Sequence, residues 1–152
     1  MTLEEAYDRY AAALYRHALV LTRRGADAED AVQSAFVKLA SRLRAKAVID
    51  DLEPYLHVAV RGEALRILGR RRRSPSEARI VAPVNGASFE EAEAVDAALA
   101  ALPEEQREVV LLHVYEELTF RRIGELLGIS PDTAASRYRY AKEKLKELLG
   151  GD

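Results

Sequence analysis

The chain has 152 residues, 49% of them apolar and 32% charged, with a formal net charge of −2 and no cysteine. That is the composition of a folded globular chain, and it excludes disulfides and thiolate metal sites. No apolar run approaches the ~20 residues that span a bilayer. The acidic start, Met1 to Tyr10, lacks the basic-then-apolar layout of a signal peptide, so a cytoplasmic protein without membrane insertion is expected. His17, His57 and His113 show no ligand-like spacing and read as ordinary helix-surface or half-buried residues. There is no phosphate-binding glycine loop, no nucleophile with a neighbouring histidine and no acidic metal cluster, so neither an enzyme nor a cofactor is expected.

Ala, Leu, Glu and Arg dominate and β-branched runs are scarce, which favours helices. From Leu3 to Leu21 the apolar positions Leu3, Ala6, Tyr7, Tyr10, Leu14, Ala18 and Leu21 recur at helical steps, and Gly25 is the expected stop. Asp27 reads as the N-cap of a second helix, with Asp30 three residues on. That helix places Ala28, Val32, Phe36, Leu39 and Leu43 on one face and Glu29, Asp30, Gln33, Lys38 and Arg42 on the other. A break falls near Val48–Glu53. Pro54 suits the first position of a third helix, which carries Tyr55, Leu56, Val60, Ala64, Ile67 and Leu68 and ends in Arg70, Arg71, Arg72 and Arg73.

Between Ser74 and Ala87 the periodicity stops, and Pro75, Pro83 and the Asn85-Gly86 pair mark a linker. Ser88 can cap a short acidic helix through Glu90, Glu91, Glu93 and Asp96. Pro103 opens the next helix, interrupted at Glu116 and Glu117, and Thr119 caps a short one whose Ile123, Leu126 and Leu127 face inward. Gly128 then stops the chain, Ser130 caps again and Pro131 takes the first helical position. The last helix has Ala134, Tyr138, Ala141, Leu145 and Leu148 inward. Two helices joined by a glycine turn make a helix-turn-helix. Its outward stripe offers Ser136, Arg139 and Tyr140, with Arg137 at the flank and small Ala135 permitting close approach. An arginine there can pair bidentately with a guanine edge. Arg121 and Arg122 open the preceding helix, where phosphate contact is the natural role.

The stretches LPEEQREVVLL (102–112) and LTFRRIGELLGISPDTAASRYRYAKEKL (118–145) resemble region 4 of the extracytoplasmic-function (ECF) sigma factors of bacterial RNA polymerase. Independently, DAEDAVQSAFVKL (27–39) and the span from Tyr55 to Arg73 resemble region 2 of the same family. The resemblance implies an all-α chain of two small helical domains, 1–73 and 101–152, joined by a flexible linker at 74–100. It implies that Asp30 and Gln33 face the β′ clamp helices of core RNA polymerase, and that a second contact reaches the β flap. Arg66, Arg70, Arg71, Arg72 and Arg73 would supply charge beside the unpaired strand of the downstream promoter element. Ser136, Arg139 and Tyr140 would read the upstream element, with Arg121, Arg122 and Arg137 nearer the backbone. An inhibitory anti-sigma partner is implied as well.

The function expected is therefore promoter-specific transcription initiation. A plain helix-turn-helix regulator is the alternative, and it leaves the 27–39 motif without a purpose. A sigma-like decoy that binds only an anti-sigma partner would need no basic recognition helix, which Arg137 and Arg139 supply here.

Overall fold

The computed structural model describes residues 1–71 and 89–150, with Phe89 described in its backbone alone. Arg72, Arg73 and most of the expected linker, together with the expected Ser88 cap, lie outside the described residues. Within them are seven α-helices, one π-helical turn and no strand, the all-α class that the periodicity predicts. No described helix is long and apolar enough to cross a membrane.

Helix α1 (Leu3–Thr22) starts at Thr2, whose Oγ1 accepts the Glu5 N–H at 3.1 Å. With α2 (Gly25–Arg44) and α3 (Leu52–Arg70) it forms a three-helix bundle. Leu14, Leu21, Ala28, Val32, Leu39, Leu56, Val60 and Ala64 are buried between them. The stripes are those of the sequence, except that Leu3 and Tyr7 near the start of α1 and Leu43 near the end of α2 are exposed.

The junction of α1 and α2 departs from expectation. Arg23, in the left-handed conformation (φ 61°), ends α1 in place of the expected stop at Gly25, and Gly25 instead opens α2. Thr22 makes this tight turn possible: its Oγ1 accepts the Arg24 N–H at 3.4 Å and donates to the Arg24 carbonyl at 3.2 Å. Asp27 is consequently not an N-cap. It lies inside the first turn of α2, buried, with Arg71 Nη2 3.1 Å from its Oδ1. A buried carboxylate needs a counter-charge, and the end of α3 provides it.

The second half comprises α4 (Phe89–Ala101), α5 (Glu104–Val110), the π turn (Leu111–Tyr115), α6 (Phe120–Leu127) and α7 (Pro131–Leu148). Helix α4 is the expected acidic helix, and it occupies the second half of the span 74–100 expected as a flexible linker. The segment 109–112 is apolar on every side because it serves two cores. Val110 and Leu111 join Leu99, Leu102 and Ala141 in the core of the three-helix bundle. Val109 and Leu112 turn the other way, into a smaller core with Ile123, Leu126 and Ala134. The π turn ends where Glu117 takes φ 56°, and the Leu118 N–H returns to the Leu112 carbonyl at 2.9 Å.

The two halves also meet through buried charge. Glu108 of α5 is 0% exposed, and its partners come from the three-helix bundle. Its carboxylate accepts from His17 Nε2 at 2.7 Å and from Arg61 through Nε (2.9 Å) and Nη2 (3.1 Å). His17 Nδ1 in turn lies 2.9 Å from His57 Nδ1. Burial pushes the Glu108 carboxyl up, but the bonds from His17 and Arg61 outweigh it and hold the group below the usual range. His57 is pushed down to about 3, first by burial and then by the charges of His17 and Arg122. The expectation that these histidines are ordinary surface or half-buried residues fails for His17 and His57, which are fully buried. Among the described residues, no group of three or more metal-ligating side chains is arranged to hold an ion.

This seam predicts a pH dependence. A histidine kept neutral in the closed form, with an ordinary value near 6.5 when released, binds fewer protons closed than open between about pH 6.5 and about pH 3. Closure is therefore fully stabilised above that window and loses stability as pH falls through it. Glu108, whose carboxyl is depressed, acts in the same direction at the acid end. The denaturation midpoint should fall on going from about pH 7.5 to about pH 5, with a shallower fall in His57→Gln. Equal slopes in the two proteins would remove His57 from the account.

Candidate nucleic-acid and polymerase interfaces

Each part of the helix-turn-helix is fixed by a local bond. Thr119 Oγ1 accepts the Arg122 N–H at 3.1 Å, starting α6. Gly128 stops it at φ 71°, returning its N–H to the Gly124 carbonyl. Ser130 Oγ accepts the Thr133 N–H at 3.0 Å, with Pro131 at the head of α7. Beneath the two helices, His113 stacks on Phe120 with ring centroids 4.3 Å apart and meets the edge of Tyr138 at 4.6 Å. Its Nδ1 lies 2.9 Å from the Leu118 carbonyl, tying the π turn to the base of α6.

This packing leaves one face of α7 outward. Arg139 and Tyr140 are exposed, the Arg139 guanidinium lying 5.2 Å from the Tyr140 ring centroid, while Ser136 is half-buried beside them. Arg137 is half-buried, 4.0 Å from Glu105 across to α5. On α6, Arg121 is exposed, whereas Arg122 is turned toward the three-helix bundle and ion-paired with Asp51, Glu53 and Glu125. The bonds to Asp51 come first among the causes that raise its guanidinium further above the ordinary value.

On the first half, Asp30 and Gln33 are exposed on α2, one turn apart. The arginines at the end of α3 have separate fates. Arg66 donates to buried Glu63 at 2.6 Å, and Lys38 donates to the same carboxylate, holding it below the usual range. Arg70 is exposed and Arg71 pairs with Asp27. The helical periodicity places Asp30, Gln33, Arg139 and Tyr140 on outward faces. The pairs of Arg66 with Glu63 and of Arg122 with Glu125 are helical i,i+3 neighbours, whereas Asp27, Asp51 and Glu53, the other partners of Arg71 and Arg122, lie tens of residues away and carry no local signal.

Gly124 is a feature that periodicity does not reveal. A Cβ there would stand 2.5 Å from the Ile129 carbonyl oxygen, so the turn between α6 and α7 closes against bare backbone.

A sigma-70 region 2 family model matches residues 6–74, and a sigma-70 region 4 model matches residues 92–145. The chain is 31% identical to the ECF RNA polymerase sigma factor SigM of Mycobacterium tuberculosis over 153 aligned positions, covering 97% of this chain and 76% of that one. It is 47% identical to the RNA polymerase sigma factor CarQ of Myxococcus xanthus over 53 residues, 35% of this chain and 30% of CarQ. Among solved structures, the sigma factor RpoE of Bartonella quintana, crystallised with the anti-sigma factor NepR, shares the fold with a TM-score of 0.77. That match is 23% identical in sequence and covers 98% of this chain and 97% of RpoE. The chain belongs to the ECF sigma factors of the sigma-70 family. It binds core RNA polymerase and directs promoter-specific transcription initiation, as a factor of a family that initiates rather than catalyses.

The close approach at Gly124 gives a test of the helix-turn-helix geometry. Alanine gains up to about 1 kcal/mol in helix propensity over glycine, but here the methyl meets backbone that must shift. Gly124→Ala should therefore destabilise the chain by about 1–3 kcal/mol, read by denaturant unfolding. Unchanged or raised stability would show that the turn has slack.

Proposed function

We propose that residues 1–73 grip core polymerase and open the downstream promoter element, while residues 101–152 read the upstream one. The observation that carries this division is the pair of outward faces on separate helices. Asp30 and Gln33 stand on α2, and Ser136, Arg139 and Tyr140 on the second helix of the helix-turn-helix. Asp30 and Gln33 contact the β′ clamp helices, and the second half meets the β flap. Ser136, Arg139 and Tyr140 meet base edges in the major groove, with Arg121, Arg122 and Arg137 on the flanking phosphates. Arg66, Arg70, Arg71, Arg72 and Arg73 hold the strand that leaves the duplex. Melting proceeds by trapping unstacked bases, so it needs no reaction, catalytic residue or cofactor of this chain's own. Two weak attachments joined by one chain gain from effective concentration once both sit on polymerase.

The reading places the protein in the cytoplasm, where polymerase and promoter are. It includes an anti-sigma partner that covers the polymerase-facing surfaces. The support is that the similar Bartonella RpoE was crystallised with the anti-sigma factor NepR.

Base reading and phosphate gripping separate by mutation. Arg139→Ala should cost about 1–3 kcal/mol at the preferred upstream element and relax discrimination at a single position. Arg121→Ala should weaken binding to every sequence alike and flatten the salt dependence by about one counterion. Binding to single-base variants at several salt concentrations distinguishes the two, and identical profiles would put α7 elsewhere than in the groove.

Asp30→Ala with Gln33→Ala should lower affinity for core polymerase about tenfold or more, an interface loss of about 1.4 kcal/mol. Because α2 starts at Gly25, Asp30 lies beyond its first turn and the change removes no cap. Unchanged polymerase affinity at unchanged melting temperature would move the contact off this face.

A further inference from the structure

Arg122 already has ligands. Its Nη1 and Nη2 donate to the two carboxylate oxygens of Asp51 at 2.6 and 3.1 Å, a bidentate fork. Nε donates to Glu53 at 3.0 Å, and Nη1 also reaches Glu125 at 2.7 Å. All three guanidinium nitrogens are therefore committed to carboxylate oxygens. Glu125 is a neighbour on α6, but Asp51 and Glu53 come from the start of α3, in the other half of the chain. A guanidinium fork takes carboxylate and phosphate in the same planar two-point geometry. The Asp51 carboxylate thus occupies the direction from which a phosphate would be bound.

The clamp is not part of a packed core. The Asp51 side chain is 51% exposed and that of Arg122 28%, so it can be exchanged for another anion without opening a cavity. It stands at the seam that Glu108, His17 and Arg61 hold shut, and Arg122 itself lowers the His57 value.

We propose that Asp51 and Glu53 act as an intramolecular stand-in for the DNA backbone, holding Arg122 while the halves are closed and giving it up when DNA phosphate takes their place. The proposal rests on the reading that Arg122 grips phosphate. Closure and DNA then compete for one guanidinium. By linkage, whatever closure subtracts from DNA affinity, DNA subtracts from closure by the same factor. The free chain is held back from indiscriminate binding to phosphate by its own acids, a restraint that polymerase or promoter must displace. Other arginines of α6 and α7 escape this control, since Arg121 and Arg139 remain exposed in the closed form.

The test uses the full chain and a random-sequence DNA duplex, which reads phosphate contacts alone. Asp51→Asn with Glu53→Gln should bind the duplex about three- to tenfold more tightly. Glu4→Gln with Asp8→Asn, which removes the same charge from the exposed face of α1, should change affinity far less. On an Arg122→Ala background the gain should vanish. The absence of cysteine allows clean dye attachment at Ser41→Cys and Glu147→Cys. Energy transfer between them should fall when duplex is added to the protein with Asp51 and Glu53 intact, and be lower from the outset when both are replaced.

Two results overturn the proposal and differ in what they spare. If Asp51→Asn with Glu53→Gln gains no more than the charge control, while Arg122→Ala weakens binding, Arg122 grips phosphate but no competition exists. If Arg122→Ala has no effect in the Asp51→Asn, Glu53→Gln background, the phosphate role fails too and the clamp is structural. Helical circular dichroism checks that each variant folds. Asp51→Asn alone, at the more exposed position, serves where the double replacement does not.

Discussion

One buried carboxylate sets the arrangement of the molecule. Glu108 is removed from water on α5, and an unpaired charge there would cost several kcal/mol. Its partners, His17 and Arg61, belong to α1 and α3. The second half can therefore bury α5 against the bundle only in the register that delivers Glu108 to those two side chains. The apolar residues beside it, Val110 and Leu111, gain by burial in many registers, because the hydrophobic effect is non-directional. The charge network selects one. The same placement brings Arg16 to Glu116 and Arg122 to Asp51 and Glu53 at the more exposed edges of the seam.

That register has a functional cost and a functional use. A sigma factor must present one surface to polymerase and another to DNA. Here α2 offers Asp30 and Gln33 and α7 offers Arg139 and Tyr140 while the halves remain packed. Arg122, by contrast, is taken up by closure. The seam combines an apolar part, which persists across pH and salt, with ionic parts that weaken as the carboxylates protonate or as salt screens the exposed pairs. Such a joint is firm under ordinary conditions yet separable by a competing anion or by a partner that covers one face.

Much of this was legible in the sequence, and the limits follow from range. The caps at Thr119 and Ser130, the glycine stop at Gly128 and the inward stripes of α2, α3 and α7 are local patterns, each confined to a turn or a helix face, and they appear where periodicity and turn chemistry put them, save that the stripes of α2 and α7 run out into solvent at Leu43 and Leu148. The start of α2 was misplaced because Asp27 has the composition of a cap but is drawn inward by Arg71, 44 residues later (71 − 27). His17 and His57 were read as ordinary because their pairing joins residues 40 apart, and nothing in either neighbourhood announces the other. Glu108 carries no local sign of its burial for the same reason, its partners His17 and Arg61 lying 91 and 47 residues away. The need for a bare backbone at Gly124 arises only once the following turn folds back over it. The carboxylates that take up Arg71 and most of Arg122 depend on tertiary structure, whereas the pairing of Arg66 with Glu63 is a helical neighbour contact.

The central claim is that α1–α3 and α5–α7 are bolted into one body by the Glu108 seam. Nitrogen-15 relaxation of the full chain at neutral pH and low salt tests it directly, because a rigid pair tumbles with one correlation time. The account predicts a single value shared by residues such as Val60 in α3 and Ile123 in α6. Two different and shorter values, one for each half, would show the halves moving as beads on a string and would contradict it.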